Sequence, residues 1–440
     1  MNNSYDLVIL NGTCVKHDGI TKIDIGIKNG TIVALENLKK VDSKEVLNIA
    51  GLHVLPGVID TQVHFREPGS ALSEDLKSGS MAAILGGVTS VFEMPNTSPP
   101  TTNEDALNQK LKLAKERMYC DYAFYIGATP ENIDFLPNLQ NLPGCCGIKI
   151  FAGSSTGTLL VANYEQIEEI IKNSRGVVAV HSEDEFKLRA RKKYIQNGDV
   201  KSHIQWRNVD SSFFCTKQIV QIAQKLNKKV HILHVSTKEE MDLLSQNKNF
   251  ATVEATPQHL TFYYPECYEK LGTFAQMNPP IREKIHHDAI WSAVENGTVD
   301  LIGSDHAPHL KEDKMKKYPN SPSGMPGVQT LVPLLLDHYN NGRISLEKIV
   351  NLTSYNAHKI FGIKNKGILK EGFDADFTIV DINSERIIDN RWIASRCGWT
   401  PFHGKKIKGW PVGTIVRGNV VAWKDKIQGS PVGKELNFKK

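Results

Sequence analysis

Short apolar runs recur along the middle of the chain, and helix-length amphipathic segments separate most of them. Eight runs bounded by turn residues fit this description: residues 58–64, 88–93, 122–126, 147–151, 177–181, 230–235, 252–255 and 299–303. Helical spacing of apolar residues predicts helices over residues 104–118, 164–173, 212–226 and 331–340. A strand followed by a helix, repeated eight times, is typical of a (β/α)8 barrel, so we predict an α/β fold of the TIM-barrel type.

Both chain ends instead alternate apolar and polar residues in the manner of short strands. Residues 5–38 contain three such strands with turns at Asn11-Gly12 and Asn29-Gly30, which predicts a small antiparallel sheet. A second set lies at residues 374–380 and 413–421. Because neither end has enough strands for a stable sheet, we expect both to form one small β-sandwich module. The predicted domains are a β module of residues 1–54 and 365–440 and a barrel of residues 55–364.

The composition limits which binding partners and which cellular compartment we expect for the protein. The 53 basic and 48 acidic residues leave a formal net charge of +5 and are scattered along the 440 residues, whereas nucleic-acid binders concentrate theirs on one face. No stretch approaches the roughly 18 apolar residues of a membrane span, and the amino terminus has no signal-peptide pattern. The seven cysteines include no CxxC pair, which argues against a disulfide framework. We therefore expect a cytoplasmic protein without nucleic-acid or membrane partners.

Polar residues that can bind a metal, carry a proton or hold a substrate follow most of the predicted strands. Barrel enzymes build their sites at the carboxyl ends of the strands, so we expect these residues to converge. In chain order they are His64, Asn96, Lys149, His181, His234 and Asp305.

Three of these residues are histidines, and together they favour a shared zinc site. A single strand histidine is more often satisfied by a hydrogen bond, but His64, His181 and His234 all end apolar runs. Gln62 lies two residues before His64, so strand periodicity points both side chains the same way. Asp305 can serve as an oxygen ligand, as the proton carrier or as a helix cap.

Lys149 ends a predicted buried strand, where a charged ammonium is costly. Either its side chain reaches solvent, or its amine has reacted with carbon dioxide to give a carbamate, whose two oxygens can bridge two metal ions. The chemistry of the residue alone favours the first alternative.

Five segments occur in an order typical of one known family: residues 60–69 (DTQVHFREPG), 93–97 (EMPNT), 234–237 (HVST), 277–282 (MNPPIR) and 303–309 (GSDHAPH). Together they resemble the signatures of the dihydroorotases of the amidohydrolase superfamily, and the resemblance runs from residue 5 to residue 433. It implies a zinc hydrolase that interconverts N-carbamoyl-L-aspartate and L-dihydroorotate, two small molecules of pyrimidine biosynthesis.

The resemblance also implies a role for each residue of the predicted site. His64 and Asp305 are similar to ligands of a first zinc ion, and His181 and His234 to those of a second. Lys149 lies where many members of the superfamily carry a carboxylated, bridging lysine, which reverses the preference from chemistry alone. Asp305 is the expected catalytic proton carrier.

Five further positions are similar to residues that hold the substrate in the family. The guanidinium fork of an arginine suits an anionic ring. The implied substrate-binding residues are Arg66, Asn96, Asn278, His309 and Gly324.

The chain departs from the family pattern at Gln62, which replaces the first histidine of the usual His-x-His pair. An amide oxygen is a weaker zinc ligand than imidazole, so the sequence is compatible with either one or two bound zinc ions. Two other functions also remain open: another cyclic amidohydrolase, such as a dihydropyrimidinase, hydantoinase or allantoinase, and a non-catalytic scaffold for aspartate transcarbamoylase. The sequence also leaves open whether the protein forms a homo-oligomer. Residues 311–322, which are charged and contain proline, are expected to form either a flexible cover over the active site or an ordinary surface loop.

Overall fold

The computed structural model describes residues 4–439. The strands of this part of the chain, in order, are β1 Tyr5–Leu10, β2 Thr13–Lys16, β3 Gly19–Lys22, β4 Asp24–Lys28, β5 Thr31–Glu36, β6 Ser43–Asn48, β7 His53–Pro56, β8 Val58–Val63, β9 Val88–Glu93, β10 Asp121–Gly127, β11 Cys145–Phe151, β12 Val178–His181, β13 Val230–Ile232, β14 Ala251–Ala255, β15 Leu301–Ile302, β16 Phe377–Ile387, β17 Lys406–Val416, β18 Asn419–Trp423 and β19 Lys426–Ile427.

Helices lie mainly between the strands of the middle of the chain. The α-helices are α1 Leu76–Leu85, α2 Glu104–Ala114, α3 Leu136–Leu139, α4 Tyr164–Asn173, α5 Glu185–Arg191, α6 His203–Trp206, α7 Val209–Leu226, α8 Lys238–Ser245, α9 Pro257–Thr261, α10 Glu266–Leu271, α11 Lys284–Glu295, α12 Lys311–Lys314, α13 Leu331–Asn340, α14 Leu346–Val350 and α15 Asn356–Phe361. Shorter turns are 3-10 helices at Pro130–Phe135, Lys192–Tyr194, Val200–Ser202, Gly272–Ala275 and Asn390–Trp392 and a π-helix at Asn351–Tyr355. No helix of residues 4–439 has the length and apolar character needed to cross a membrane.

Strands β8 to β15 form one parallel sheet in sequential order. Its two edges meet where Val63 pairs with His306, and His64 N donates to His306 O at 2.8 Å. Each of the eight apolar runs overlaps one of these strands, which confirms the predicted TIM-type barrel.

The predicted helices agree with the structure to within a few residues. Residues 164–173 and 331–340 match α4 and α13 at both ends. Helix α7 begins three residues earlier than predicted because the side chain of Asn208 caps it by accepting from Ser211 N. Helix α2 ends at Ala114, four residues early, because Lys115 leaves the helical backbone conformation.

The strands outside the barrel form two sheets. The first, ordered β5-β4-β1-β6, uses only the amino-terminal region, and the second, ordered β19-β18-β17-β16-β7-β2-β3, hydrogen-bonds strands of both chain ends together. The turn at Asn29-Gly30 joins β4 and β5 with φ of 50° and 75°, as a two-residue hairpin requires. The domain bounds derived from the sequence stay a prediction.

The three predicted amino-terminal strands pair antiparallel as expected, β1 with β4 and β4 with β5, but a further strand and one turn were not anticipated. Strand β6 pairs with β1 in parallel, so the first sheet is mixed. The Asn11-Gly12 turn closes no hairpin; it carries the chain from β1 in one sheet to β2 in the other.

The carboxyl-terminal segment crosses the amino-terminal end of the barrel. Glu435 pairs with Tyr122 at the start of β10, and the ring of Phe438 packs edge-on against Phe92 at 5.9 Å. Leu436 is buried with the same cluster. This end of the barrel is therefore filled, and the polar residues gather at the opposite, carboxyl-terminal end.

Candidate active site

Nine of the ten residues predicted for the site line one pocket at the carboxyl ends of the barrel strands. They are His64, Arg66, Asn96, Lys149, His181, His234, Asn278, Asp305 and Gly324. The tenth, His309, lies beside the pocket, with its Nε2 3.4 Å from the guanidinium of Arg66. The strands thus bring together residues that are up to 260 positions apart, and the roles assigned to them remain predictions.

Asn96 determines which nitrogen of His64 carries the proton. The Asn96 Nδ2 donates to Thr156 O at 2.8 Å, so its Oδ1 faces His64 Nδ1 at 2.7 Å. An amide oxygen only accepts, so His64 Nδ1 carries the hydrogen. The lone pair of His64 Nε2 therefore faces Asp305 Oδ1 at 3.2 Å.

Glu183 fixes His181 in the same way. His181 Nε2 lies 3.0 Å from Glu183 Oε2, so Nε2 is the donor. Its Nδ1 then presents a lone pair toward His234 Nε2 at 3.1 Å, while His234 Nδ1 has no hydrogen-bond partner in residues 4–439. Burial alone would raise the pKa of Glu183, but Arg207 and His181 lower it to about 2, so it stays an acceptor.

These two arrangements fit a metal centre. Electron-pair donors face one another at His64 with Asp305, and His181 Nδ1 presents a lone pair toward the ring of His234. A cation bound between the members of a pair makes such an approach favourable. Burial lowers the pKa of His64 and His181 and holds that of His234 well below its ordinary value, so all three rings are neutral, as ligands must be. Outer acceptors that orient ligating histidines are typical of metal sites.

A second group of acidic side chains lies away from this pocket. The carboxylates of Asp121, Asp374 and Asp376 are close enough together to hold a cation. Lys366 Nζ already lies 2.6 to 2.8 Å from all three, and Arg417 pairs with Asp121. The two basic side chains account for this cluster as an ion-pair network.

Two of the predicted metal ligands have unusual backbone conformations. His234 and Asp305 adopt φ of 36° and 45°, a region that residues other than glycine rarely occupy. Both lie within three residues of the carboxyl end of a barrel strand, where the turn of the chain directs their side chains into the pocket. Backbone strain of this kind is concentrated at functional sites.

Lys149 stays inside the pocket instead of reaching solvent. The residue is 1% exposed, and Nζ lies over the Phe151 ring at 4.6 Å from the ring centre. Within residues 4–439 its Nζ makes no hydrogen bond or ion pair. Burial lowers the pKa of Lys149 to about 7.

Gln62 contacts Asp305 through its amide nitrogen. Its Nε2 donates to Asp305 Oδ1 at 2.9 Å, because an amide nitrogen can only donate. The other amide atom, Oε1, is buried and has no partner in the described part of the chain. Asp305 Oδ1 is therefore shared between Gln62 and His64.

On the substrate side of the pocket, Arg66 is a buried cation without a carboxylate partner. It is 7% exposed, its Nε donates to Pro308 O at 3.1 Å, and no ion pair to it occurs within residues 4–439. Burial lowers the pKa of Arg66 to about 10, which leaves it charged at neutral pH. A buried, unpaired guanidinium is a strong site for an anion.

His203 orients Asn278, and the sequence offered no signal for it. His203 Nε2 lies 3.0 Å from Asn278 Oδ1 and 3.1 Å from Met277 O, so it donates and leaves Asn278 Nδ2 for the pocket. Burial lowers the pKa of His203 to about 3, which keeps the ring neutral. The sequence also gave no signal for Arg207, whereas Glu183 lies two residues after His181 and could have been found from that spacing.

The backbone of Gly324 has fewer hydrogen-bonding groups available to a substrate than the family resemblance implies. Its N–H donates to Gln276 O at 2.9 Å, so only its carbonyl is open to a ligand. A glycine is required at this position because its φ is 144° and because an added Cβ atom would lie 2.6 Å from Ala307 O. His309 Nε2 faces the neighbouring Ser323 O at 3.0 Å and fixes this turn.

Residues 311–322 are packed down beside the pocket without lining it. The buried Lys314 donates to Gln276 O at 3.1 Å and to Pro322 O at 2.8 Å. Tyr318 is buried, and its carbonyl accepts from Gly198 N at 2.7 Å. The segment therefore has the contacts of a fixed surface excursion.

Comparisons with known proteins agree with this architecture. Residues 53–421 match the amidohydrolase family, and residues 1–49 match the N-terminal domain of the urease alpha-subunit. The chain is 35% identical over 443 residues to a dihydroorotase of Methanosarcina acetivorans, covering 97% of this chain and 94% of that protein. It is 32% identical over 447 residues to an L-hydantoinase of Paenarthrobacter aurescens, covering 96% of each.

Solved structures of hydantoinases share the fold over almost the full length. The L-hydantoinase (dihydropyrimidinase) from Arthrobacter aurescens superposes with a TM-score of 0.94 at 29% identity, covering 98% of this chain and 99% of that chain. A D-hydantoinase superposes with a TM-score of 0.89 at 25% identity, covering 98% of both chains.

Proposed function

The chain belongs to the amidohydrolase family, and from this premise we propose that it is a metal-dependent dihydroorotase. The reaction is the reversible hydrolysis of L-dihydroorotate to N-carbamoyl-L-aspartate, a step of pyrimidine biosynthesis. The proposal includes a cytoplasmic location and leaves the oligomeric state and any association with aspartate transcarbamoylase to experiment.

The buried, unpaired guanidinium of Arg66 carries this proposal. L-Dihydroorotate has a carboxylate on its ring, whereas hydantoin and dihydrouracil are neutral. Burying a charge without a partner is expensive, and an anionic substrate would supply the missing partner. Asn278 Nδ2, which His203 leaves unoccupied, is a second donor for the same carboxylate.

The metal would be held by the two pairs of donors. One or two zinc ions would be held by His64 with Asp305 and by His181 with His234, and a carbamate of Lys149 would supply further oxygen ligands. The carbamate forms when the neutral amine adds to carbon dioxide and one proton is released, so that the side chain becomes an anion. Its support is a buried lysine without an anionic partner. A divalent zinc ion held there would supply activation of water and polarisation of the amide carbonyl.

Asp305 would move the proton during the reaction. Its Oδ1 is held by Gln62 and faces His64, whereas Oδ2 makes no hydrogen bond within residues 4–439. As water attacks the amide carbon, Oδ2 accepts its proton; as the carbon–nitrogen bond breaks, the same oxygen returns the proton to the ring nitrogen. Ring closure follows these steps in reverse. Arg66 and Asn278 keep the ring in place throughout.

The experiment that tests the proposal compares four substrates. Purified protein with measured zinc content is assayed on L-dihydroorotate, dihydrouracil, hydantoin and allantoin. We expect the highest kcat/KM on L-dihydroorotate. Preferred turnover of hydantoin or dihydrouracil would replace the proposal with the hydantoinase activity that the fold similarity to the Arthrobacter enzyme favours. Protein without zinc and without turnover would support the scaffold alternative.

A further inference from the structure

Arg207 joins two parts of the pocket that are distant in sequence. It is 2% exposed, and its guanidinium stacks on Trp206 at 4.8 Å. NH1 donates to Glu183 Oε2, the oxygen that orients His181, and NH2 donates to the carbonyl of Ser154. One buried cation therefore holds both the acceptor behind a metal-ligand candidate and the backbone of a loop.

The loop of residues 154–157 forms one wall of the pocket. Ser155 and Thr156 line it, and Ser154 N donates to Glu185 Oε2 at 2.7 Å. At its other end Thr156 O accepts from Asn96 Nδ2, and Asn96 Oδ1 is the acceptor behind His64. The acceptor behind His64, Asn96, is thus hydrogen-bonded directly to this loop. The acceptor behind His181, Glu183, is connected to the loop through Arg207.

We propose that Arg207 is a positioning residue that couples ligand binding in the pocket to retention of the metal. A ligand that orders residues 154–157 through Ser155 and Thr156 holds the Ser154 carbonyl on Arg207. Arg207 in turn holds Glu183 against His181 Nε2 and keeps Nδ1 directed into the site. The proposal rests on the proposed function for the identity of its ligand and metal.

The expected size of the coupling follows from general ranges. Removing an outer partner of a ligating histidine typically lowers metal affinity about 10- to 100-fold. Coupling between two binding sites typically changes affinity about 5- to 150-fold, and the effect is reciprocal. Guanidinium geometry is needed because a lysine ammonium cannot contact Glu183 and the Ser154 carbonyl with two separate, fixed donors.

The test measures zinc release from the holoenzyme to a chromogenic chelator, with and without saturating N-carbamoyl-L-aspartate. The ratio of the two release rates is the protection given by the ligand. Contacts between ligand and metal protect every variant equally, so the change of this ratio between variants isolates the coupling. In Arg207→Lys we expect zinc release without ligand to rise about tenfold and protection to fall about fivefold or more below the wild-type ratio.

Arg191→Lys is the matched control. Arg191 Nε donates to the carbonyl of Gln205 at 2.8 Å, and Gln205 lies two residues before Arg207. Arg191 contacts neither Glu183 nor the loop of residues 154–157. Its release rates and protection should equal those of the wild type. Loss of protection in this variant as well would overturn the assignment to Arg207.

Gly157→Ala perturbs the loop from its other end and keeps the test valid if Arg207→Lys folds poorly. Gly157 has φ of 103°, and an added Cβ would lie 3.2 Å from Asn96 Cβ. We expect reduced protection here too. Wild-type protection in both variants, or no protection in the wild type, overturns the coupling even if L-dihydroorotate is hydrolysed normally. Coupling without turnover of L-dihydroorotate would instead reject the proposed function.

Discussion

At the scale of single residues, the two oxygens of Asp305 have different surroundings. Oδ1 accepts from Gln62 and faces His64, whereas Oδ2 makes no hydrogen bond in residues 4–439. One oxygen therefore holds the side chain in place while the other can exchange a proton. A similar division occurs at Arg66, where Nε is anchored on Pro308 O while the guanidinium makes no ion pair within residues 4–439 and can accept an anion as its partner.

Replacing Asp305 by asparagine should keep the shape of the side chain and remove its basicity. We expect Asp305→Asn to lower kcat on L-dihydroorotate by about 100- to 10,000-fold, because a positioned proton carrier contributes about that much. Ring opening followed by absorbance gives kcat, and circular dichroism reports the fold. A properly folded variant with kcat near the wild-type value would reject the role of Asp305.

Removing the charge of Arg66 should weaken binding of an anionic ring. We expect Arg66→Met to lower kcat/KM on L-dihydroorotate about 10- to 150-fold, which corresponds to about 1.5 to 3 kcal/mol for a hydrogen bond to a charged group. Arg66→Lys is the matched control, because it keeps the charge without the fork and should lose less. Equal losses in both variants would argue that shape, and not charge, determines binding.

Gln62 is the residue at which this chain departs from the family pattern. Imidazole is a better zinc ligand than an amide oxygen, so Gln62→His should retain more zinc per chain after dialysis against a weak chelator. Zinc is measured by atomic absorption, with His64→Gln as the opposite change that should retain less. Unchanged zinc content in Gln62→His would show that position 62 contributes nothing to metal binding.

At the scale of elements, the helices begin at side-chain caps that the sequence contains. Asn103, Asn163, Asn208 and Thr237 each accept from a backbone N–H in the first turn of the following helix. Strand ends work differently, because the positive φ of His234 and Asp305 turns the chain out of the sheet. The caps stabilise the helices, whereas the residues with positive φ at the strand ends direct candidate catalytic side chains into the pocket.

Asn103 offers a clean measure of one such cap. Its Oδ1 accepts from Ala106 N at 2.9 Å at the start of α2. Asn103→Ala should lower the free energy of unfolding in urea by about 1 kcal/mol. Asn103→Asp keeps the acceptor and places a negative charge at the positive end of the helix dipole, so it should match or exceed the wild type. Equal stability of both variants would deny the cap a role.

At the scale of the whole molecule, one buried ion-pair network connects the barrel with the sheet that contains both chain ends. Asp121 begins barrel strand β10, whereas Asp376 and Arg417 flank strands β16 and β17. Lys366 lies between them and contacts the acidic side chains from both sides. The carboxyl-terminal segment joins as well, because Lys434 N donates to Asp121 Oδ1 at 2.8 Å.

Lys366→Met should therefore destabilise the protein strongly. Removing one partner of a buried network leaves uncompensated carboxylates and typically costs about 3 to 5 kcal/mol. Lys364→Met is the control, because Lys364 is exposed and makes no ion pair within residues 4–439, so its change should stay within about 0.5 kcal/mol. Urea denaturation at pH 7 measures both variants, and equal stability would contradict the importance of the network.

The pH dependence gives a second measurement on the same variant. Burial alone would raise the pKa of Asp121, but Lys366 and Arg417 lower it below its ordinary value of 3.8. A carboxyl with a lowered pKa stabilises the folded state above its unfolded pKa and loses this effect as pH falls through the folded pKa. The stability gap between wild type and Lys366→Met should be full near pH 7 and shrink below pH 3.8.

The sequence alone predicted the eight barrel strands, four of the helices and nine of the residues that line the pocket. Strand and helix periodicities depend on residues that are close together in the chain, and they predicted all eight barrel strands and two helices at both ends. Polar residues at the carboxyl ends of these strands must converge once the strands form a barrel, which is why His64, His181, His234 and Asp305 could be grouped in advance.

Only the tertiary structure decided which groups meet and which atoms they leave unoccupied. The parallel pairing of β1 with β6, the donation of the Gly324 N–H to Gln276 and the position of Arg207 between Glu183 and Ser154 have no local signal. Such contacts depend on how distant segments pack, and a hydrogen bond made in one direction removes that atom from the site. Periodicity therefore determines the framework, whereas packing determines the free donors and acceptors on which the chemistry depends.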